Sequence, residues 1–463
     1  MNDLVWLGNW LVPDCLRHGA LLVGAPGTGK SLFLKCLRVC LARALAANRI
    51  LKMHIVDYDT KGDLYDFGGE FPPGMGVFDL NPFTESDVFD VMAEILDPRD
   101  LYELFSILVE TRSNEQQKYF PDMARLIGRK LATRHWLTCP ERVTLRDLIE
   151  TCAGPEAMRL VARSHEYTQS IVPVLQDNDA GMSIMSTLTN EMDKLAIPAA
   201  LYDSARPGAR KVSTAMIARL PRSYVRLPYN VRSGNTLAPL VRLYLQLWVR
   251  QLLDLADRDC LYPLILDELA LLPGGVDLVQ AAIFGREFGY QPVLSFQSFL
   301  TTFEAFTKAK LEAMISTSKV FVCFNLPDPQ DAELASKRFG SSQGTVAVES
   351  WSWTSSYSGQ GGASSSSTYS VSEQFQTIEN VTAGMIMQLG VPTRNHPYAE
   401  YFMVAPPFRP FKGRVHIPSL ASYFFRDLKP VPRPRERDAR DMVLRPWDAQ
   451  DLIRLGLVPD VKP

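Results

Sequence analysis

The segment Gly24–Ser31, GAPGTGKS, has the glycine, lysine and serine spacing of a phosphate-binding loop. The apolar run ALLVGA leads into it, and a long segment with helical periodicity, Ser31–Ala47, follows. Between a strand and a helix, such a loop turns backbone N–H groups toward phosphate oxygens, and the helix N-terminus adds partial positive charge. The motif therefore predicts an α/β fold around a nucleotide site. The predicted nucleotide-binding residues are Gly24, Ala25, Pro26, Gly27, Thr28, Gly29, Lys30 and Ser31.

A second group of polar residues supplies the chemistry that this loop needs. Lys30 is expected to reach the β- and γ-phosphates, and Ser31 to ligate Mg²⁺. The apolar run Pro263–Leu266 ends in Asp267 and Glu268, where the carboxyl end of a strand is expected. Asp267 is predicted to hold the magnesium through water, and Glu268 to orient and deprotonate the attacking water. The alternative is a surface acidic pair that caps the next helix; the prediction is an Mg²⁺-dependent ATPase.

Composition limits the class of protein. The 463 residues are 46% hydrophobic and 22% charged, as in a soluble globular chain with a large core. Seven cysteines without a CxxC pair or a Cys/His cluster argue against a disulfide framework and a zinc site. A net charge of −2 predicts that DNA contacts come from local patches or from oligomerisation. No window of about 18 residues is apolar enough to span a bilayer, so we expect a cytoplasmic protein.

The periodicity of the chain changes twice. Strands alternate with helices over residues 1–85, helical periods dominate 86–204, and strands return over 205–428. We interpret 1–85 and 205–428 as two parts of one nucleotide-binding domain, and 86–204 as an inserted all-helical domain. Residues 429–463, rich in proline and mixed charge, are expected to form a flexible C-terminal arm that ends in a short helix.

The Ser/Gly-rich stretch 343–375 alternates residue by residue, which is typical of a hairpin with a long tip. Its aromatic residues raise the possibility of stacking on DNA bases. However, no Lys or Arg occurs between Arg338 and Arg394, so the stretch cannot neutralise phosphates. An edge hairpin or a subunit contact is the favoured interpretation. The aromatic residues are Trp351, Trp353, Tyr357 and Tyr369.

The order of segments resembles the TraD/TraG-like coupling ATPases of type IV secretion and conjugation, which belong to the FtsK/HerA class of hexameric translocases. The second predicted strand ends in the Asp-x-Lys-Gly-Asp element Asp59–Asp63. An Asp-Glu strand, a helix with Gly285–Arg286 and a strand ending in Gln297–Ser298 follow in the family's order. The similarity runs from about Leu21 to Val404. It implies a RecA-like P-loop nucleotide-binding domain with an inserted all-helical domain.

The resemblance also implies roles for two further residues. Gln297 is expected to act as a sensor beside the γ-phosphate, where a neutral amide does not compete for the metal. Arg286 is expected to reach across a subunit boundary as an arginine finger. The alternatives are a polar residue that closes a buried strand and a solvated surface arginine.

Together these observations predict an ATP-hydrolysing coupling protein that moves DNA, most simply single-stranded DNA, in conjugative transfer. The expected assembly is a hexamer with relaxase or relaxosome partners. Family members usually begin with membrane-spanning helices, and about twenty residues precede the first strand here. We therefore expect either that a secretion partner supplies attachment at the inner membrane or that this branch works in the cytosol. The rival functions are a HerA-like translocase or helicase outside secretion, and a nucleotide-gated receptor for protein substrates.

Overall fold

The structure, a computed structural model, describes residues 19–47, 52–109, 118–139, 143–205, 209–229, 234–255, 260–272, 278–358, 362–405 and 409–457. For Arg286 and for most residues of 343–378 it describes the backbone alone. The strands are β1 (Ala20–Val23), β2 (Met53–Asp59), β3 (Gly76–Asp79), β4 (Val88–Phe89), β5 (Lys211–Val212), β6 (Arg222–Pro228), β7 (Tyr262–Leu266), β8 (Tyr290–Phe296), β9 (Val320–Cys323), β10 (Ser341–Ser358), β11 (Gly362–Glu379), β12 (Tyr398–Val404) and β13 (Phe411–His416).

The α-helices of this part of the chain are mostly short. They are α1 (Lys30–Ala46), α2 (Leu64–Phe67), α3 (Pro98–Leu108), α4 (Tyr119–Thr138), α5 (Leu145–Thr151), α6 (Pro155–Arg163), α7 (Asp179–Asp193), α8 (Ala196–Asp203), α9 (Thr214–Ala218), α10 (Gly234–Leu255), α11 (Val279–Phe284), α12 (Phe299–Ala305), α13 (Lys308–Ser316), α14 (Pro329–Phe339), α15 (Ala383–Met387), α16 (Ile417–Phe425) and α17 (Ala449–Arg454). None of those described is long and apolar enough to cross a bilayer.

Nine of the described strands form one sheet in the order β13-β12-β9-β1-β8-β7-β2-β6-β3. The strands from β9 to β3 run parallel, whereas β12 pairs antiparallel with β9 and β13 pairs antiparallel with β12. The central strands β1, β2, β7 and β8 are buried along their whole length, as is typical of parallel strands covered on both faces. Because these four strands are parallel, the residues that follow each of them meet at one edge of the sheet.

The core lies on both faces of this sheet. One face packs against α1 and α16, with Leu34, Leu37 and Phe424 among the buried residues. The opposite face packs against α10, and its core continues without a break into the helices of the 86–204 segment. The sequence therefore buries α1 and α10 against opposite faces of the sheet, which is the architecture of a doubly covered α/β fold.

The segment 86–204 begins and ends at neighbouring points of the fold. It begins near β4 and contains α3 to α8, and the chain then enters β5, which pairs in parallel with β4. Asp97 and Thr144 begin α3 and α5 with capping boxes, so local sequence fixes where these helices start. The helical character of this segment follows the sequence interpretation, while the domain boundaries themselves stay predictions.

The Ser/Gly-rich stretch forms a long antiparallel hairpin. Strands β10 and β11 pair from Ser341 with Glu379 to Ser358 with Gly362. Within the described residues they pair with each other and not with the nine-stranded sheet, so the hairpin does not extend the sheet edge. The aromatic side chains on which a DNA or subunit contact depends lie outside the described set.

The C-terminal segment, residues 429–457, differs from the flexible arm that the sequence predicts. Gly69 N–H donates to Lys429 O at 2.9 Å, and Arg437 N–H donates to Phe83 O at 2.9 Å, so the segment first runs along the nucleotide-binding part. It then reaches the helical segment, where α17 forms as expected. Composition predicted a solvated arm because proline and mixed charge are typical of linkers; in the structure some of these charges pair within the segment, such as Arg440 with Asp438, and others pair with distant residues, such as Arg454 with Asp147.

The partners of α17 lie on α4 and α5. Asp147, a fully buried residue of α5, accepts two hydrogen bonds of 2.8 Å from Arg454 and one of 3.1 Å from the Trp447 indole. Arg146 donates to Asp451 at 2.7 Å, and Arg134 of α4 donates to Leu455 O at 2.6 Å. The C-terminal segment is thus attached to both parts of the protein.

Candidate nucleotide-binding site

A cavity of about 730 Å³ lies at the carboxyl edge of the sheet. The ends of β1, β2, β7 and β8 converge there, as the parallel arrangement requires. The lining residues are Ala25, Pro26, Gly27, Gly29, Lys30, Ser31, Leu32, Thr60, Lys61, Tyr229, Asp267, Glu268, Leu271, Gln297, Pro392 and Ile417. The structure therefore brings most of the residues predicted from sequence into one cavity.

Backbone geometry explains the glycines of the loop. Gly27 and Gly29 have φ values of 78° and 117°, in the region that other residues rarely adopt. A Cβ atom on Gly24 would lie 2.6 Å from Cβ of Phe324, at the end of β9. Thr28 Oγ1 donates a hydrogen bond of 2.7 Å to Ala25 O, which closes the loop from inside. The turn and the close approach of β9 both need the residues that the motif supplies.

Lys30 points back into the loop that precedes it. Its Nζ contacts Gly24 O and lies 3.3 Å from Ala25 O, and the residue is 7% exposed. Burial lowers the pKa of Lys30 to about 8, although the carboxylates of Glu268 and Asp267 act in the opposite direction. The side chain is therefore poised to gain from a negatively charged ligand, which would replace the hydration that burial removes.

Ser31 and Asp267 present oxygen donors to the same part of the cavity. Asp267 is 4% exposed and accepts a hydrogen bond of 2.9 Å from Thr60 Oγ1. A hydroxyl and a carboxylate, completed by waters and phosphates, are the hard donors that Mg²⁺ prefers, so the residues present suit that ion. No group of three or more His, Cys, Asp or Glu side chains suited to a metal occurs in the described part of the chain.

Lys61 also lines the cavity, a position for which sequence reasoning offered no role. Its Nζ contacts Ser31 Oγ and lies 3.9 Å from Asp267 Oδ2. The preceding turn is fixed by Asp59, whose Oδ1 accepts from Lys61 N at 3.1 Å and from Gly62 N at 2.8 Å. The available signal was the Asp-x-Lys-Gly element itself, at the carboxyl end of a strand that turns out to lie beside β7.

Asp59 holds this turn as a carboxylate. Burial alone would raise its pKa, but the charges of Arg38 and Arg226 and the backbone N–H donors of the turn lower the pKa to about 2. Arg226 Nε lies 3.1 Å from Asp59 Oδ2, and its Nη1 lies 2.9 Å from Asp79. Since Arg226 is 5% exposed and pairs with both of these carboxylates, it supports the core strand β6.

Glu268 and Gln297 meet directly across the ends of β7 and β8. Gln297 Nε2 donates a hydrogen bond of 2.9 Å to Glu268 Oε2. Burial raises the pKa of Glu268, and the bond from Gln297 and the charge of Lys30 oppose part of that rise. The amide therefore orients the carboxylate in addition to lining the cavity.

Arg286 lies at the other end of β8. Its backbone belongs to a single 3₁₀ turn, Gly285–Phe288, before the strand begins, whereas Gln297 follows the strand's last residue. Seven extended residues span about 23 Å. The structure consequently does not place the Arg286 backbone beside the cavity of its own chain.

Apolar residues on the rim were missed by sequence reasoning. Tyr229 and Leu271 lie on one side, and Pro392 and Ile417, from the segments around β12 and β13, contribute further apolar surface. Such residues could pack against the base of a nucleotide. They belong to no local motif and come together only through the order of strands in the sheet.

The comparison with protein families gives the decisive observation. The model of the type IV secretion-system coupling protein DNA-binding domain matches residues 11–407. This chain belongs to that coupling protein family. The family's description names DNA as the ligand of the domain, and the resemblance stated from sequence is confirmed.

Solved structures show the same fold as this coupling protein. The unbound bacterial conjugative coupling protein TrwBdeltaN70 is 18% identical, with a TM-score of 0.64 over 87% of this chain and 86% of that one. The plasmid coupling protein TrwB with ADP and Mg²⁺ is 16% identical, with a TM-score of 0.64 over 92% and 89%. TrwB in complex with the GTP analogue GDPNP is 16% identical, with a TM-score of 0.64 over 93% of this chain and 89% of that one. The predicted RecA-like P-loop fold is confirmed. A search of the curated proteins by sequence gives no match.

Proposed function

We propose that this coupling protein hydrolyses ATP with Mg²⁺ and uses the energy to move DNA in conjugative transfer. The observation that carries the proposal is the Gln297–Glu268 hydrogen bond beside the phosphate-binding loop. A protein that only bound nucleotide would need the loop, but it would not need a carboxylate held in one orientation next to it. Complexes of TrwB with ADP and Mg²⁺ and with nucleotide analogues add support from a protein of the same fold.

The residues of the cavity have separate roles in phosphoryl transfer. Lys30 and the loop N–H groups bind the β- and γ-phosphates, so charge that develops in the transition state is stabilised in place. Glu268 orients the attacking water and accepts its proton, and its raised pKa makes it a better base than an exposed glutamate. Ser31 and Asp267 would hold Mg²⁺, which supplies charge neutralisation at the phosphates when bound.

The proposed function also requires assembly of several subunits. The Arg286 backbone lies at the far end of β8 from Gln297, so an arginine finger at this position would have to serve the cavity of a neighbouring subunit. A ring, which we propose is a hexamer, would also gather basic side chains around one DNA path, which a chain of net charge −2 needs. Relaxosome contacts, cytoplasmic location and attachment through a membrane partner stay predictions.

Steady-state ATPase assays on three proteins test this function. Lys30→Ala should lose nucleotide binding and turnover together, because the charge on the β- and γ-phosphates is removed. Glu268→Gln should keep nucleotide binding and lose at least about 100-fold in turnover, because only the base is lost. Single-stranded DNA should stimulate the wild-type protein. Parental turnover by Glu268→Gln would overturn the assignment of the base, and full turnover by Lys30→Ala would overturn the site.

A further inference from the structure

The strongest unexplained feature of the cavity is a second lysine. Lys61 reaches both groups that the magnesium prediction uses, Ser31 as a ligand and Asp267 through water, because its Nζ contacts Ser31 Oγ and lies 3.9 Å from Asp267 Oδ2. Lys30 instead points into the loop carbonyls. The two lysines therefore have different surroundings: Lys30 contacts carbonyls of the phosphate-binding loop, and Lys61 contacts the two groups proposed to hold the metal.

Hydrogen bonds fix the backbone at Lys61, whereas the end of its side chain is not enclosed. Asp59 accepts hydrogen bonds from the N–H groups of Lys61, Gly62 and Leu64, and Gly62 has a φ of 75° that suits glycine. This fixes where the side chain begins. The Lys61 side chain itself is 50% exposed, so its four-carbon stem can swing away without disturbing buried groups.

The Lys61 ammonium and Mg²⁺ cannot both occupy the space between Ser31 and Asp267. A lysine ammonium carries one positive charge and Mg²⁺ carries two, and the repulsion between them at a few ångströms is substantial even near a protein surface. Whichever cation lies between Ser31 and Asp267 must exclude the other from it.

We propose that Lys61 competes with Mg²⁺ for Ser31 and Asp267, and that its ammonium takes the ion's place beside the phosphates of a nucleotide bound without metal. Lys61 thereby reduces the dependence of nucleotide binding on Mg²⁺, and its displacement accompanies loading of the metal. The inference rests on the proposed nucleotide site and adds to it a residue that tunes metal occupancy.

The test measures binding and needs no turnover. Affinity for ADP is measured in EDTA, and affinity of the protein–ADP complex for Mn²⁺, as a paramagnetic substitute for Mg²⁺, is measured by electron paramagnetic resonance. Lys61→Met should weaken metal-free ADP binding about tenfold and tighten Mn²⁺ binding to the complex about tenfold. The two changes have opposite signs, which a general defect in the site would not produce.

Two further variants control the experiment. Lys319→Met removes an exposed lysine at the amino end of β9, on the edge of the sheet away from the cavity, and should change neither affinity. Lys61→Arg keeps the positive charge and should retain metal-free binding. Loss of both affinities in Lys61→Met, or no change in either, would overturn the inference. Failure of the wild-type protein to bind ADP under either condition would instead overturn the proposed function, and this inference with it.

Discussion

Gln297 Nε2 lies 2.9 Å from Glu268 Oε2 and donates a hydrogen bond to it. The two residues come from the ends of neighbouring strands, β8 and β7, and are separated by 29 positions in the chain. Because the donor is neutral, the carboxylate keeps its negative charge and its ability to take a proton. A residue expected to sense the γ-phosphate is thus also in a position to control the base.

Removing that amide should change the pH dependence of hydrolysis. The hydrogen bond favours the charged carboxylate, so Gln297→Ala should raise the pKa of Glu268 further above its usual range. We expect turnover to fall about 10- to 100-fold and the acidic limb of the kcat profile to move to higher pH, while ADP affinity is kept. Gln330→Ala, on the exposed start of α14, is the matched control. An unshifted acidic limb would contradict this role.

Nucleotide binding should take up a proton at alkaline pH. The pKa of Lys30 is lowered to about 8 by burial, and phosphate groups should raise it in the complex. At pH 7 the lysine is already charged in both states, whereas at pH 9 it must gain a proton to bind. Affinity for ADP should therefore fall about tenfold from pH 7 to pH 9.

Isothermal titration calorimetry in buffers of different ionisation enthalpy measures that proton directly. Lys30→Arg, which stays charged across this range, should bind without proton uptake. Equal proton uptake by Lys30→Arg and the wild-type protein would show that another group titrates.

Mixed assemblies should reveal whether Arg286 acts on a neighbour. Arg286→Ala and Lys30→Ala should each be inactive alone, since a finger contributes on the order of 10³-fold or more to turnover. Rings that contain both proteins have interfaces that pair an intact loop with an intact finger. ATPase activity should return on mixing, and verified co-assembly without recovery would mean that Arg286 does not act between subunits.

Stability should depend on the Asp147–Arg454 pair. Asp147 is fully buried and accepts from Arg454, Trp447 and the Thr144 N–H. Burial alone would raise its pKa, but Arg454 and Thr144 lower it. Asp147→Ala should lower the free energy of unfolding in urea by ~2–3 kcal/mol, less than a fully buried pair because Arg454 is 27% exposed. Asp438→Ala, which removes an exposed pair with Arg440, should leave unfolding unchanged.

The Asp147–Arg454 pair also predicts that the free energy of unfolding falls at acid pH. A carboxyl group whose pKa is lowered in the folded state stabilises the protein above its unfolded pKa of about 4 and loses that contribution as pH falls below it. The wild-type protein should lose stability below about pH 4 more steeply than Asp147→Ala. Parallel urea-unfolding curves for the two proteins from pH 5 to pH 3 would contradict the assignment.

Local sequence was sufficient to place the loop, the strand before it and the strand that ends at the acidic pair, because a motif or an apolar run marks each of them. It was insufficient for Lys61, since its contact with Ser31 depends on β2 lying beside β7, an order that no local pattern contains. The C-terminal segment was misjudged for a related reason. Its charges look solvated along the chain, and their partners, Asp147 and Arg146, lie about 300 positions away.

The attachment of residues 429–457 has a mechanical consequence. The helices between β4 and β5 are joined to the rest of the fold by that strand pair and by the core that they share with α10, and the C-terminal segment forms a further connection through Gly69 and Phe83 at one end and Asp147 at the other. Two bodies that share a core can separate only by exposing apolar surface, and a segment attached to both of them must be stretched or released at the same time. Any movement of the helices away from the sheet must therefore open part of this core and also stretch the C-terminal segment or release α17.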